Sequence, residues 1–207
     1  MSFIYEEKYE HAGCTIRIIQ DPDRPNPRDN YEHMGKMVLF PNHEYIDRNE
    51  YDKYVNATDF ASTLRSLAWH ATKSDAMEDE YRVSMEHVFR CVNKHYVIIP
   101  VDQDRYSGLS SRGVNVGDCD DHCDGFVLFP VADLTKEGID REQATRNLEG
   151  EIEEYAAWAT GDCYGYVIED ENGDELDSCW GFYGMEYAKE EAESSAKSQR
   201  FVPQENV

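Results

Sequence analysis

The chain has 207 residues, 43 of them acidic and 20 basic, and a formal net charge of −23. Aromatic residues make up 12% of the sequence, so the chain can bury a hydrophobic core, which excludes disorder throughout. The charge argues against direct nucleic-acid binding, since that affinity comes from Lys and Arg side chains that displace counterions from phosphates.

Two further features bear on location. No apolar run approaches the roughly 20 residues that a membrane-spanning helix needs, so we expect no membrane partner. The start, MSFIYEEKYEHAG, lacks the basic end and apolar run of a secretion signal. We therefore expect a cytoplasmic protein, in the host cytoplasm if the chain is viral. The six widely spaced cysteines are then expected to be free thiols: Cys14, Cys91, Cys119, Cys123, Cys163 and Cys179.

In the first half of the chain, β-branched and apolar runs predict strands at 14–20 and 34–40, separated by a Pro- and Asp-rich loop at 21–30. Apolar residues then recur at helical spacing behind Asp59 and again behind Ser74. This pattern predicts two helices between the strands, the second ending near residue 93.

The second half begins with strand-like runs, and the long loop between them is expected to be either functional or mobile. A helix should start at Asp140 and stop at Gly161. The Asn172-Gly173 pair predicts a two-residue type I′ turn. The remaining predicted elements are strands at 95–101 and 125–131, a loop at 102–124, a hairpin over 163–184 and an Ala- and Glu-rich helix to about 198.

These elements predict one α+β domain over residues 1–198, with a mainly antiparallel sheet, three to four helices and a C-terminal β-hairpin followed by a helix. Within it, residues 1–55 are a candidate N-terminal arm and 59–93 a helical insertion. The polar end, 199–207, is expected to be a flexible tail.

Acidic residues are concentrated in the C-terminal part, where positions 142–193 hold sixteen Asp or Glu but only Arg146 and Lys189 as basic residues. Solubility explains this, and so does adaptation to a salt-rich cell. A third explanation is a surface that occupies a basic nucleic-acid groove of another protein. The predicted partner-binding acidic face comprises Glu149, Glu153, Glu154, Glu171, Asp174 and Glu175. We expect Glu151 to lie on the same outward side of its helix.

The segment GDCDDHCDG at 117–125 is the densest group of candidate metal ligands. Cys119, His122 and Cys123 are residue types that zinc prefers. A structural zinc site needs a second ligand pair, which the sequence does not supply, and the EF-hand pattern fails because His122 and Cys123 stand where it requires oxygen ligands and glycine. We therefore expect an acidic loop with no metal and no cofactor.

The segment DSCWGFYG at 177–184 combines a thiol with three aromatic rings. One interpretation is a strand that packs Trp180 into the core, and the other is an aromatic contact surface formed by Trp180, Phe182 and Tyr183. The surroundings of Cys179 are acidic, which disfavours it as a nucleophile. The seven histidines show no pairing with a nucleophile, and Walker and G-x-S-x-G patterns are absent, so we assign no catalytic residue.

Two segments carry a resemblance to known proteins. NPRDNYEHMGKMVLF at 26–40 and YAAWATGDCYGYVIEDENGDELDSCWGFYG at 155–184 resemble the opening and ending of a family of small uncharacterised proteins encoded by tailed phages and mobile elements. The segment at 120–138 matches that family loosely, and the helices at 59–93 fall outside the pattern. The resemblance covers roughly half the chain and implies a viral accessory context, not a reaction.

Three hypotheses of function follow. The first is a non-enzymatic binder of the anti-CRISPR or antirestriction type, whose acidic part fits a basic groove on a host nucleic-acid-handling or defence protein. The second is a metal- or Cys-dependent enzyme centred on residues 117–125. The third is a protein that sequesters a nucleotide or another small ligand on the aromatic hairpin, with Arg28, Arg105 or Arg112 supplying positive charge.

Overall fold

The computed structural model describes residues 6–30, 32–39, 60–79, 82–104, 108–111 and 124–199. Its strands are β1 (Glu6–His11), β2 (Cys14–Gln20), β3 (Lys36–Leu39), β4 (Tyr96–Asp104), β5 (Gly108–Ser111), β6 (Gly125–Pro130), β7 (Cys163–Glu169) and β8 (Glu175–Tyr183). Its helices are α1 (Pro27–Asn30), α2 (Phe60–Thr72), α3 (Met85–His95), α4 (Leu134–Glu137), α5 (Arg141–Thr160) and α6 (Met185–Gln199). Every strand pairing is antiparallel. The α+β class and the C-terminal hairpin followed by a helix are therefore confirmed.

The chain divides into two compact units. Unit one contains residues 1–27 and 157–207, and unit two contains residues 28–156. Two such units can belong to one folded domain, so the single domain over 1–198 stays a prediction, as does the N-terminal arm.

Unit one is a four-stranded sheet in the order β1-β2-β7-β8 with α6 on one face. Ala188, Ala192 and Ala196 recur every four residues and are fully buried against that face. Small side chains at this spacing let the helix approach closely, and they meet Ile16 and Ile18 of β2. The opposite face of the sheet, here called the open face, carries the alternate residues of each strand.

Unit two is a sheet in the order β3-β6-β4-β5. Helices α2 and α3 pack on one face, where the Phe60 and Phe126 rings lie 5.9 Å apart at their centroids. Gly125 begins β6 so close to β3 that an added Cβ would lie 2.2 Å from the carbonyl oxygen of Val38. That contact requires glycine at this position.

Several predicted elements need correction in detail. The segment behind Ser74 forms a 3-10 turn at Asp75–Glu78, and α3 begins only at Met85. Ser84 caps α3, because its side chain accepts a hydrogen bond from the His87 amide. The apolar stripe that begins behind Ser74 runs across this boundary, so the stripe does not show where α3 begins. The predicted 21–30 loop includes the one-turn helix α1.

Strand β4 also runs past its proline, because Pro100 pairs with Phe126 and the strand continues to Asp104. Helix α5 begins where predicted: the Asp140 carboxylate accepts the Gln143 amide at 2.8 Å, and Gly161 adopts φ +74 beyond its end. The Asp59 cap and the tail from residue 200 lie outside the described residues. The loop predicted at 102–124 is wrong where it is described, because β4 continues to Asp104 and pairs with β5 at Gly108–Ser111. The other loop positions before Asp124 lie outside the described residues. Among the residues described, no helix has the length and apolar character needed to cross a membrane.

Candidate functional site

The six residues of the predicted acidic face lie on two elements. Glu149, Glu153 and Glu154 belong to α5, and Glu171, Asp174 and Glu175 belong to the turn between β7 and β8. The first three are in unit two and the others in unit one. That all six form one surface stays a prediction. Hydrogen bonds within the hairpin turn fix the local arrangement of the second group.

The hairpin turn is organised by Asp170. Its carboxylate accepts the amides of Asn172 at 2.8 Å and of Asp174 at 2.9 Å, and the Gly173 amide donates to its carbonyl at 3.1 Å. Of the pair predicted to form a type I′ turn, only Gly173 has positive φ, at +85. A type I′ turn needs positive φ at both central residues, so that turn type is wrong although the hairpin is confirmed.

The same hydrogen bonds keep the turn negatively charged. They lower the pKa of Asp170 below its usual range, the bond from the Asp174 amide contributing most. Glu171, Asp174 and Glu175 are exposed. We call these residues, with Asp170, the acidic tip: Asp170, Glu171, Asp174 and Glu175.

The acidic tip has no cationic partner among the described residues. Glu175 accepts a hydrogen bond from Ser178 at 2.7 Å, whereas Glu171 and Asp174 form no side-chain hydrogen bond or ion pair with any described residue. No Lys or Arg occurs between Arg146 and Lys189 in the sequence. The tip therefore presents carboxylates that are free to meet positive charge from elsewhere.

Acids on the sheet itself differ, because they are already paired. Glu169 of β7 accepts from Arg17 at 3.0 Å and lies 3.6 Å from Lys8, while Arg17 also donates to Glu6 at 2.6 Å. The Arg17 hydrogen bond lowers the pKa of Glu169. Glu6 and Glu169 therefore offset Lys8 and Arg17, whereas the acids of the tip have no cationic partner among the described residues.

One acid expected to face outward lies inside unit two. Glu151 accepts from the buried Arg28 guanidinium at 2.9 Å and from the amides of Met34 and Gly35 at 2.7 and 3.1 Å. Arg28 also donates to the Gly35 carbonyl at 2.7 Å. The expectation that Glu151 is outward-facing is therefore wrong, because its helical position borders the buried stripe and its partner is far away in sequence.

This network explains the NPR…G pattern near the N-terminus in structural terms. An added Cβ on Gly35 would lie 2.3 Å from Leu148 and 2.5 Å from Val127, so a larger residue would have to displace these side chains. His33 Nε2 contacts the Glu154 carboxylate at 3.2 Å. Because Arg28 is committed to Glu151, it does not supply the positive charge that the ligand-sequestering hypothesis needs.

Trp180 is the most informative of the predicted aromatic residues. Its side chain is 50% exposed, so the core position considered for it is wrong. Gly165 pairs with Trp180 across the sheet, and an added Cβ on Gly165 would lie 2.3 Å from the indole. The ring therefore rests on a glycine of the open face and keeps half of its surface available.

The other two aromatic residues have structural partners. The Phe182 ring stacks on Tyr166 at 5.6 Å and contacts Tyr187 at 5.5 Å. Tyr183 donates to the Pro25 carbonyl at 3.2 Å and lies under the Arg24 guanidinium. Of the predicted aromatic contact residues, Trp180 is the one with an exposed ring.

Four of the six cysteines are described, and all four are free thiols as expected: Cys14, Cys91, Cys163 and Cys179. Burial raises the pKa of Cys163 to about 11. Cys179 is exposed, and its thiol contacts the Trp180 carbonyl at 3.9 Å. No described histidine hydrogen-bonds to it.

The metal-ligand candidates Cys119, His122 and Cys123 lie outside the described residues. Within the ranges that the structure covers, no group of three His, Cys, Asp or Glu side chains is placed to hold a metal ion. The absence of a metal and the alternative of an enzyme centred on 117–125 stay predictions.

Comparison with known proteins gives no relative. No family model matches the chain, and neither the curated proteins nor the solved structures contain a match.

Proposed function

We propose that this chain is a non-enzymatic acidic binding protein that occupies a basic nucleic-acid groove on a host nucleic-acid-handling or defence protein. The observation that carries the proposal is the acidic tip, in which Glu171, Asp174 and Glu175 are exposed and no carboxylate has a cationic partner among the described residues. The phage-type context implied by the sequence resemblance is part of the same proposal.

The acidic tip attracts positively charged surfaces through water. Unpaired surface carboxylates repel one another and produce a negative potential that extends over about a Debye length, near 10 Å at 0.1 M salt. Lys and Arg side chains that line a nucleic-acid groove are placed to receive phosphate charge. Carboxylates that enter the groove compete for the same cations, and long-range attraction accelerates association.

The hairpin suits this role because its turn is held firmly. Asp170 accepts two amides of the turn, and β7 and β8 pair along the arms. Glu171 and Asp174 thus project from a backbone whose conformation is fixed before binding. Pre-organised charges cost less conformational entropy on binding than charges on a flexible tail.

The experiment is a displacement assay with fluorescent duplex DNA bound to each of a panel of purified restriction, CRISPR-effector and DNA-repair proteins. We expect the chain to displace the duplex from at least one of them at low salt. The double variant Glu171→Gln with Asp174→Asn should displace it about tenfold less effectively. The matched control, Glu190→Gln with Glu191→Gln, removes the same charge from exposed positions of α6 and should act like the parent.

Two results would contradict the proposal. One is the absence of displacement from every member of the panel at low salt. The other is an equal loss in the tip variant and the α6 control, since net charge rather than the acidic tip would then determine the effect.

A further inference from the structure

The two edge strands of the unit-one sheet differ in how far their side chains prevent pairing with a strand of another chain. On the open face, β1 carries the charged residues Glu6, Lys8 and Glu10 opposite residues of β2. Charged side chains of this kind prevent an edge strand from pairing with another chain. At the other edge, β8 carries Ser178 and Trp180 on that face, so this protection is missing.

Strand β8 has a regular stretch between two irregularities. Asp177 to Trp180 pair one-to-one with Ile168 to Gly165, and the register shifts on either side. In an antiparallel ladder, alternate residues direct their N–H and C=O groups away from the partner strand. Two of the four residues therefore offer backbone groups at the edge, and β8 pairs with β7 alone among the described strands.

The backbone partners seen along this stretch are local. The Ser178 amide donates to the neighbouring Asp177 carboxylate at 2.9 Å, and the Trp180 carbonyl receives the Cys179 thiol at 3.9 Å. Such contacts within one strand are exchangeable for ladder hydrogen bonds with an incoming strand. The Ser178 amide and the Trp180 carbonyl are therefore able to pair with an incoming strand.

Exposed apolar surface lies beside the same edge. Trp180 is 50% exposed and Leu176 is 42% exposed, in a chain with a net charge of −23. Tryptophan is enriched among the residues that contribute most of the binding free energy at protein interfaces. Its ring also attracts cations, Arg and Lys side chains included.

The negative charge near β8 determines which kind of segment can bind at this edge. The acidic tip and Asp177 lie at the start of β8, and a second copy of this chain would bring a further net charge of −23 to this edge. Like charges directly opposite across a sheet are destabilising, whereas opposite charges are favourable. An extended segment rich in Arg or Lys suits this site, because its backbone can pair with the β8 edge while its cationic side chains contact the Trp180 indole and the acidic tip.

We propose that β8 binds an extended Arg- or Lys-bearing segment of the partner protein as a fifth strand, with a cationic side chain on the Trp180 indole. Main-chain hydrogen bonds supply affinity in this mode, and alternate side chains supply selectivity. The inference rests on the proposed function, because that function makes the partner basic.

The experiment uses three forms of an eight-residue peptide that alternates Arg and Thr. One is unmodified, one is N-methylated at the Arg residues and one at the Thr residues. N-methylation removes the amide donors along one edge of an extended peptide only. We expect one methylated form to bind the full chain like the parent and the other to bind about tenfold more weakly, since it loses hydrogen bonds to β8.

Trp180 provides a direct readout. With 5-fluorotryptophan incorporated, the unmodified peptide should shift the ¹⁹F resonance of Trp180, assigned through Trp180→Phe, while those of Trp69 and Trp158 stay unchanged. Trp180→Ala should weaken peptide binding, and the matched control Tyr187→Ala, which removes a ring that is 54% exposed on α6, should not.

Equal behaviour of the two methylated peptides, or an unshifted Trp180 resonance at saturation, would overturn the inference. A doubled mass of the chain in solution without peptide would also overturn it, in favour of pairing between copies. Failure of the proposed function would be seen separately, in the displacement assay, where the chain would displace duplex DNA from none of the basic proteins.

Discussion

Arg28 and Glu151 form a buried ion pair, with 2.9 Å between Nη1 and Oε2, although 123 residues separate them in sequence. Their side chains are only 3% and 11% exposed. The carboxylate also accepts the amides of Met34 and Gly35, so it joins the segment after α1 to the long helix α5. The pair therefore defines the local structure of the NPR…G segment.

Replacing Glu151 with Ala should destabilise the protein by about 3 kcal/mol, because it leaves a buried guanidinium without its counter-charge. The free energy of unfolding in urea measures this. Glu153→Ala is the matched control, since Glu153 is exposed on the same helix, and it should change stability by at most about 0.5 kcal/mol. Similar losses in both variants would contradict the role given to the pair.

The inward orientation of Glu151 could not be predicted from the sequence. The apolar stripe Ala144, Leu148, Ile152 and Tyr155 predicts α5 and its buried face correctly. A residue at the border of the stripe turns inward only if a partner exists, and that partner is distant in sequence. No local signal reports such a pair.

The sequence patterns did not predict β1, and they left the position of Trp180 open between the core and the surface. The β1 segment alternates between two sets of polar or charged residues and lacks the apolar alternation that indicates a strand. It is a strand because β2 pairs with it. For Trp180, the spacing is strand-like, but only the pairing with Gly165 determines that the ring lies on the open face.

The two glycines Gly173 and Gly150 should respond in opposite directions to alanine. Both have open space where a Cβ would be placed, so backbone conformation alone decides the outcome. Gly173 has φ +85, and Gly173→Ala should cost about 1 kcal/mol. Gly150 lies within α5, and Gly150→Ala should add about 0.5 to 1 kcal/mol of stability. Melting temperatures that move in the same direction would contradict this account of the turn.

The described thiols should differ in reactivity at neutral pH. Cys163 is buried and its pKa is raised to about 11, mainly by desolvation, so it stays a neutral thiol. Cys179 is exposed and should be alkylated first by iodoacetamide, well ahead of Cys163 and the buried Cys14. Peptide mapping by mass spectrometry measures the order, and rapid labelling of Cys163 in folded protein would contradict it.

The pair between Glu169 and Arg17 should make stability depend on pH in the acid range. The hydrogen bond from Arg17 lowers the pKa of Glu169 below its ordinary value of 4.5 in the folded state. The stabilisation is therefore complete above pH 4.5 and is lost as the pH falls through the lowered pKa. Melting temperatures of the parent and of Glu169→Gln should converge in that window, and a constant difference down to low pH would contradict the pairing.

The most direct measurement of the central claim is a salt titration of folding and of binding on the same sample. The account predicts that the chain stays folded at low salt, and that its binding to a basic partner weakens steeply as salt rises, because exposed carboxylates are screened. An acidic surface adapted to a salt-rich cell predicts the reverse for folding, with structure recovered only at high salt. A fold that requires molar salt, or binding that is indifferent to salt, would contradict the acidic tip as a recognition surface.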